Sequence, residues 1–376
     1  MKKKYKYLIY DYNNKDFLNQ IINLKECKIL NFRNWYSQKK KKYIILLQFI
    51  IKNFYNPKLI KVLIKDGLFV TFIYHQILKN NPKIVLTTTD NDIRFYKLKK
   101  YFNNQIKFIA IQNGVRSKFH DIFDNPLLKK DKDLAADYYF SFGSSLKKII
   151  ENHINVKVIP VGSIKNNMIK INKIKLKNKK INILYISSFR KKGQKEVFDK
   201  SLNGHTIYWK DFIREEIKLI KLLGNYCLKN NISFGIAGCN LEHHNVEKKF
   251  FQNILTNVKW KFYRRQNEFS NYQLLDSFEI IVNCCSSLGY EALGRDKKVA
   301  FFSREISPYN DWRFGWPEKY ASKGLFHSNV ISQFEVNRIL NNLKNINKSD
   351  WKSALIKEKN KNMHYDFQNM KIKKFL

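Results

Sequence analysis

The stretch of this chain with the most chemistry in it runs Val282-Asn-Cys-Cys-Ser-Ser-Leu-Gly-Tyr-Glu-Ala-Leu-Gly-Arg-Asp-Lys-Lys-Val-Ala-Phe-Phe-Ser303. An apolar β-type run ends in Ser286 and Ser287, a helical pattern starts there, and Glu291 falls about one turn inside it. The unpaired backbone N–H groups and the dipole of a helix N-terminus favour an anion such as phosphate. Glu291 could then accept hydrogen bonds from ribose hydroxyls beside that phosphate. The same residues also describe an ordinary capped helix, with a serine as N-cap and Glu291 complementing the dipole. Local sequence does not separate the two.

Comparable residues close other apolar runs. Ser187, Ser188 and Arg190 follow Ile183-Leu-Tyr-Ile186 and could hold a diphosphate, arginine being suited to bidentate oxyanion binding. Arg264 follows Tyr263 in the same way; a solvated basic turn is the alternative at both places. In the N-terminal half, Phe108-Ile-Ala-Ile-Gln-Asn-Gly-Val-Arg116 leads to Ser117 and to His120-Asp121. Gly114 suits a tight turn or a close backbone approach. Asn113 and Arg116 could orient a polar substrate, and His120 has the proton affinity for a general base. Asp90, in Thr87-Thr-Thr-Asp-Asn-Asp92, is the second candidate base, although an Asx turn or helix cap explains that run as well. The loop Asn310-Asp-Trp-Arg-Phe-Gly-Trp-Pro317 offers Trp316 as a stacking surface for a sugar or base, or is pinned by its own aromatics. Asp131-Lys-Asp133 has a metal-like spacing that chance supplies often, and no metal role is assigned to it.

The elements that must carry these residues alternate. Tyr5–Tyr10, Lys28–Phe32, Lys83–Thr87, Ile106–Gln112, Asp137–Phe142 and Val156–Val161 read as short buried strands, separated by helical patterns over Tyr43–Tyr55, Pro57–Leu78 and Asp92–Phe102. The pattern restarts with strands at Ile181–Ser187, Ile232–Ala237, Val258–Tyr263, Glu279–Asn283 and Lys298–Phe302 and helices at Trp209–Asn230, Asn271–Phe278 and Ser287–Leu293. Helical patterns over Ser332–Leu343 and Trp351–Asn360 close the chain. The expected fold is α/β, with two Rossmann-like doubly wound domains facing across a cleft. The expected boundaries are an N-terminal domain at 1–163, a Lys/Asn/Ile-rich linker at 164–180, a C-terminal domain at 181–346 and a helical tail at 347–376.

Composition narrows the classes further. With 376 residues, at about 150 per domain, two domains are expected. The chain is 44% hydrophobic and 15% aromatic, which excludes a disordered protein. Lys+Arg 71 against Asp+Glu 31 gives a net charge of +40 and makes an anionic partner the expectation. Only 11 of those bases are Arg, so much of the lysine excess reads as a solvated coat. Five scattered cysteines without metal-ligand spacing suit reduced, cytoplasmic thiols. No apolar run reaches the roughly 20 residues of a membrane span. Lys39, Lys40, Lys41 and Lys42 precede an apolar segment, as in a helix lying on an anionic membrane surface, although local sequence favours a buried helix with a solvated lead-in.

Gln-Asn-Gly-x-Arg at 112–116, Leu-Tyr-Ile-Ser-Ser-Phe-Arg at 184–190, Ser-Ser-Leu-Gly-Tyr-Glu-Ala-Leu-Gly-Arg at 286–295 and Phe-Gly-Trp-Pro at 314–317, in that order, resemble the bacterial surface carbohydrate (O-antigen) biosynthesis proteins, which are similar to the GT-B superfamily. The resemblance runs from about Tyr7 to the Arg338 region. It implies a nucleotide-sugar donor bound in the C-terminal domain, by Ser187, Arg190, Arg264, Ser286, Ser287 and Glu291. It implies a glycan or lipid-linked acceptor in the N-terminal one, near Asn113, Arg116 and Trp316, with neither metal nor other cofactor. Two departures stand out: Asn113 where several polymerising relatives carry a histidine, and Gly294-Arg295-Asp296 where the family has Ala-Arg-Gly.

The function expected on this basis is glycosyl transfer in O-antigen, lipopolysaccharide or capsule synthesis, in the cytoplasm or peripherally on the inner face of its membrane. A nucleotide-sugar epimerase of the same fold is the enzyme alternative; it would need carboxylates or a histidine near the sugar, and His205, His243 and His244 are the candidates. A basic nucleic-acid-binding protein is the non-enzymatic alternative. No known RNA- or DNA-binding module is present to support it.

Overall fold

The structure is a computed structural model that describes residues 5–11, 15–30, 48–49, 51–52, 55–102, 105–116, 133–172, 182–193, 196–200, 206–284, 286–306, 311–313 and 323–376. His120, Trp316, Lys39–Lys42, His205 and residues 173–180 of the expected linker lie outside these residues. The chain divides into two compact units, residues 1–168 with 366–376, and residues 169–365.

The first unit is built on a six-stranded sheet of β1 (Tyr7–Ile9), β2 (Cys27–Ile29), β3 (Ile84–Thr87), β4 (Lys107–Ile111), β5 (Ala135–Ser141) and β6 (Asn155–Pro160). Its order is β2-β1-β3-β4-β5-β6, and every pair is parallel. Strands covered on both faces read as continuous apolar runs, and β3 (Ile-Val-Leu-Thr) is buried at all four positions. Helix Pro57–Asn80 starts where two local signals coincide: Asn56 caps the N–H groups of Lys58 and Leu59, and Pro57 stands at the first helical position. Gly67, at φ +82°, breaks that helix into two segments, a conformation a Cβ would resist. The expected helix over Asp92–Phe102 is instead one turn at Ile93–Tyr96 and a 3-10 turn at Lys99–Tyr101.

In the second unit β7 (Asn182–Ile186) is followed by a hairpin of β8 (Val197–Lys200) and β9 (Thr206–Tyr208), then by β10 (Ser233–Ala237), β11 (Trp260–Tyr263), β12 (Ile280–Asn283) and β13 (Lys298–Phe302). A second hairpin, β14 (Arg304–Ile306) with β15 (Asp311–Arg313), precedes the short β16 (His327–Ser328). The main sheet has the order β11-β10-β7-β12-β13-β16, again all parallel. Helix Trp209–Lys229 covers it with Phe212, Leu219, Ile220 and Leu223 on one face. Each such side chain, once buried, contributes about 1.5–3 kcal/mol. The hairpins, β16 and the helices Lys147–His153 and His244–Ile254 were not among the elements expected from the sequence.

The domain boundaries differ from those expected. Residues 164–168 form a helix of the first unit rather than a linker, and 347–376 is not a separate tail. Helix Lys348–Asn362 belongs to the second unit, while Asp366–Leu376 returns to the first. Buried asparagines explain the return: Asn167 Nδ2 donates to Asn369 Oδ1 at 2.9 Å, Asn369 Nδ2 to the Ile164 carbonyl at 3.0 Å, and the Asp366 N–H to Asn167 Oδ1 at 2.9 Å. Phe375 packs on Tyr138 and Phe140, and Tyr7 Oη donates to the Leu376 carbonyl at 3.1 Å. A polar segment that reads as a linker is thus held by satisfied amides.

Candidate functional site

Counted within the second unit, the main sheet has the 3-2-1-4-5-6 order of dinucleotide-binding folds, and its order reverses between β7 and β12. Ligands of open α/β sheets bind beyond the carboxyl ends of the two strands at such a reversal. A cavity of about 360 Å³ lies there. The loop after β7 supplies Ser187, Ser188, Phe189 and Arg190, the loop after β10 supplies Cys239 and Asn240, Ser286 and Ser287 come from the helix start after β12, and Phe212 completes the wall. Four of the six residues expected to hold the donor are therefore brought together: Ser187, Arg190, Ser286 and Ser287.

Two buried glutamates fix the loops. Glu216, on helix Trp209–Lys229, accepts from Ser188 Oγ at 2.6 Å, from the Ser188 N–H at 3.3 Å and from the Tyr185 hydroxyl. Glu247, on helix His244–Ile254, accepts from the Cys239 N–H at 3.0 Å, the Asn240 N–H at 3.2 Å and Asn240 Nδ2 at 3.0 Å. The sequence signal for them was an acid on the apolar face of an amphipathic helix: Glu216 falls among Phe212, Leu219 and Ile220, and Glu247 shares its buried face with Phe251. Ser187 Oγ accepts from the Phe189 N–H at 3.1 Å, closing the turn after β7. Burial and the nearby Glu247 push the Cys239 thiol well above its ordinary range, so it lines the cavity as a neutral group.

Ser286 caps helix Ser287–Gly294, its Oγ accepting from the Leu288 N–H at 3.2 Å, while Asn283 Oδ1 accepts from the Ser286 N–H at 3.1 Å. The capped-helix reading therefore holds for Ser286, which still lines the cavity. Gly289 is required here, because a Cβ would come within 2.2 Å of the Asn283 side chain. Glu291 stands off the cavity wall, buried, with Oε2 accepting from the Tyr272 hydroxyl at 3.0 Å. Burial, and then the Glu291 charge, raise the Tyr272 phenol far above its usual value. Arg190 is exposed, with its guanidinium carbon 5.2 Å from the Phe198 ring centroid. Arg264 is exposed and does not reach the cavity; its neighbour Arg265 ties the loops instead, donating to the Cys239 carbonyl at 3.1 Å and pairing with Glu268 at 2.5 Å. Arg295 is buried against Asp276, Nη2 to Oδ2 at 2.5 Å, and also donates to the Ile169 and Lys170 carbonyls. Asp296 adopts φ +63°, the left-handed conformation that glycine occupies without strain, at the position of the family's glycine.

In the first unit Asp90 is fully buried. Its carboxylate accepts from Arg116 Nε and Nη2, both at 2.7 Å, from the Tyr139 hydroxyl at 2.7 Å and from the Asn113 N–H at 3.1 Å. Taking a proton from a substrate would require this carboxylate to shed its ion pair in a buried place. Asp90 thus holds the Asn113–Arg116 loop in place, with its carboxylate engaged by the Arg116 guanidinium and the Tyr139 hydroxyl. Arg116 is committed to that pair, and Asn113 is exposed beside it. The chain bends at Gly114, but no close backbone approach is made there, no atom lying within 4 Å of where a Cβ would stand. His243 and His244 open helix His244–Ile254, and His244 Nδ1 is buried without a hydrogen-bond partner.

Solved structures show the same two-domain architecture. UDP-GlcNAc 2-epimerase of Methanocaldococcus jannaschii, in complex with UDP-GlcNAc and UDP, is 13% identical, with 98% of each chain covered and a TM-score of 0.54. S. aureus MnaA with UDP is 12% identical over 98% of this chain and 94% of that one, at a TM-score of 0.54. Anabaena HepE in complex with UDP is 13% identical over 98% of both chains, at a TM-score of 0.52. At these identities the likeness is one of fold, and it establishes the GT-B-like α/β architecture. A comparison with the curated proteins finds no sequence match. Residues 109–376 match the family described as "putative O-antigen biosynthesis protein", and the chain belongs to this family.

Proposed function

We propose that the protein is a glycosyltransferase-like enzyme of bacterial surface-polysaccharide synthesis, moving a sugar or related group from a nucleotide-activated donor to a glycan or lipid-linked acceptor. One observation carries the reading: Ser187, Ser188 and Arg190 meet Ser286 and Ser287 around one cavity at the strand-order reversal of a 3-2-1-4-5-6 sheet. The similar structures carry UDP or UDP-GlcNAc, which supports a nucleoside diphosphate as the ligand of that cavity.

Departure of a nucleoside diphosphate leaves negative charge on its outer phosphate. Serine hydroxyls, the N-terminus of helix Ser287–Gly294 and the Arg190 guanidinium are donors held in place before the reaction, which is how such charge is stabilised most effectively. The reading needs no metal or other cofactor. Glu291 serves the ribose, reaching it through a small shift from Tyr272. His120 is the candidate base for the acceptor hydroxyl, with Asn113 and Trp316 orienting the acceptor and Arg116 holding the Asn113 loop through Asp90. The site of action is the cytoplasmic side of the membrane, where lipid-linked acceptors of this kind are assembled.

Calorimetry with a panel of nucleotide-sugars tests the donor site, and the absence of binding by every member would overturn the reading. Incubation of a binding nucleotide-sugar without acceptor separates the two enzyme classes. Recovery of an epimeric nucleotide-sugar would assign an epimerase, whereas a transferase leaves the donor's configuration intact until an acceptor is supplied.

A further inference from the structure

We infer that Phe198, on the β8–β9 hairpin, is a positioning residue for the donor diphosphate: its ring holds the Arg190 guanidinium at the cavity and leaves the arginine's N–H donors to the ligand. This role rests on the donor-site reading and adds to it a side chain that does not itself line the cavity. Arg94, Arg116, Arg265, Arg295 and Arg338 each pair with a carboxylate. Arg190 makes no hydrogen bond or ion pair among the described residues, and no Asp or Glu lines its cavity. What holds it is Phe198, whose ring centroid lies 5.2 Å from the guanidinium carbon, within the range of a cation–π contact.

The ring is itself fixed. Phe198 stacks on Phe212, with 3.7 Å between centroids and 19° between planes, and packs on Trp209 at 5.8 Å. Phe212 belongs to the cavity wall, so Phe198 touches both that wall and the arginine. The connection that supplies it is long: residues 187–208 separate β7 from helix Trp209–Lys229, where about two to six residues suffice in most α/β units. Its turn is tied to the arginine's loop. The Gly193 N–H donates to Glu196 Oε1 at 2.6 Å, the Glu196 N–H to the Gly193 carbonyl at 3.0 Å and Lys192 Nζ to the Val197 carbonyl at 3.1 Å. The Trp209 N–H donates in turn to the Glu196 carbonyl at 2.9 Å. A carboxylate would orient Arg190 as well, but it would occupy the planar fork that a diphosphate needs, and binding would have to break the pair. A ring attracts the charge through its quadrupole and offers the fork no competing oxygen. An exposed arginine without such support loses its rotamer freedom on meeting the phosphates, and one held in advance loses less.

The experiment is calorimetry on the full chain with whichever of UDP, CDP and GDP the wild type binds most tightly, and with the matching nucleoside. Phe198→Leu keeps apolar packing on Phe212 without a ring. It is expected to lower affinity for the diphosphate by roughly two- to fivefold, an exposed cation–π contribution expressed as an affinity ratio, and to leave the nucleoside unaffected. Phe198→Tyr, which retains the ring, should bind as the wild type does. In the Arg190→Ala background Phe198→Leu should have no further effect. Pentafluorophenylalanine at position 198 keeps the shape of the ring and reverses its quadrupole, so it should lower affinity for the diphosphate without lowering thermal stability. Unchanged affinity in both the Phe198→Leu and the fluorinated variant would overturn the inference while the donor-site reading stands. So would an equal loss for the nucleoside, or a loss that persists in full without Arg190, either of which would make Phe198 a packing residue of the hairpin. Failure of the wild type to bind any of the three diphosphates would overturn the donor-site reading and the inference with it.

Discussion

The Ser188 hydroxyl donates to the buried Glu216 carboxylate at 2.6 Å, so the loop after β7 is held from behind by a helix that supplies no charged group to the cavity itself. Glu247 does the same for the loop after β10. The cavity's shape thus rests on two acids that a ligand need never touch.

Removing the first of them should show this. Glu216→Ala leaves the Tyr185 hydroxyl and the Ser188 donors without their acceptor, at a cost of about 1–3 kcal/mol for each buried group so orphaned. Urea unfolding should register that loss and nucleotide affinity should fall with it, whereas Glu216→Gln, which keeps an acceptor oxygen, should recover part of both. Wild-type affinity in the alanine variant would separate loop position from binding.

Arg190 is exposed and should behave in the opposite way. Arg190→Ala is expected to leave stability within about 0.5 kcal/mol. Its affinity for UDP should drop by roughly 10- to 100-fold, the equivalent of one charge-assisted hydrogen bond. Uridine, which has no phosphate, should bind the variant and the wild type alike in the same calorimetry.

Glu291 is assigned to the ribose, and sugar-modified nucleotides address that contact directly. The wild type should prefer a ribonucleotide over its deoxy counterpart, and Glu291→Ala should weaken nucleotide binding and erase the preference while the fold persists. If the preference survives in the variant, Glu291 is only the partner of Tyr272.

Asp90 and His120 should separate by what they damage. Breaking a buried ion pair from one side costs about 3–5 kcal/mol, so Asp90→Asn should appear first in denaturant unfolding. His120→Ala should instead cut turnover by about 10²- to 10⁴-fold with nucleotide affinity preserved. Turnover that survives His120→Ala places the base elsewhere.

Acid should weaken the second unit through Glu335. Its hydrogen bond from Arg338 holds the carboxyl below the usual range against the opposing effect of burial, and Ser332 caps the same helix through the Glu335 N–H at 3.2 Å. A carboxyl depressed on folding contributes stability that is complete above its unfolded pKa and is lost as pH falls through the folded one. The stability difference between wild type and Glu335→Gln should therefore be full near neutrality, and should shrink below about pH 4.3, the ordinary glutamate value. Urea midpoints across that range measure it, and a constant difference would refute the assignment.

Much of the fold is legible in the sequence because its signals are local. Continuous apolar runs such as Ile-Val-Leu-Thr at 84–87 mark parallel strands buried on both faces, and the recurrence of such runs with helices between them specifies two doubly wound units. Shorter elements escaped: β16 has two residues, and the hairpin Val197–Lys200 with Thr206–Tyr208 is fixed by the packing of Phe198 on Phe212 and Trp209. The return of Asp366–Leu376 to the first unit rests on Asn167 meeting Asn369, two residues about as far apart in sequence as the units are long.

For the site, residue order alone was enough to mark four of the residues that line the cavity. Serines and an arginine placed at strand ends are a local pattern, and Ser187, Arg190, Ser286 and Ser287 were readable without knowing which strands are neighbours. It took the folded chain to set β7 beside β12 and gather them around one cavity, to give the supporting role to Arg265 rather than Arg264, and to consume Asp90 in its bonds from Arg116 and Tyr139. The physical reason is the same in each case. Strand adjacency and the partner of a charged side chain depend on contacts between segments distant in sequence, and one carboxylate has the same local sequence whether it faces a substrate or a buried guanidinium.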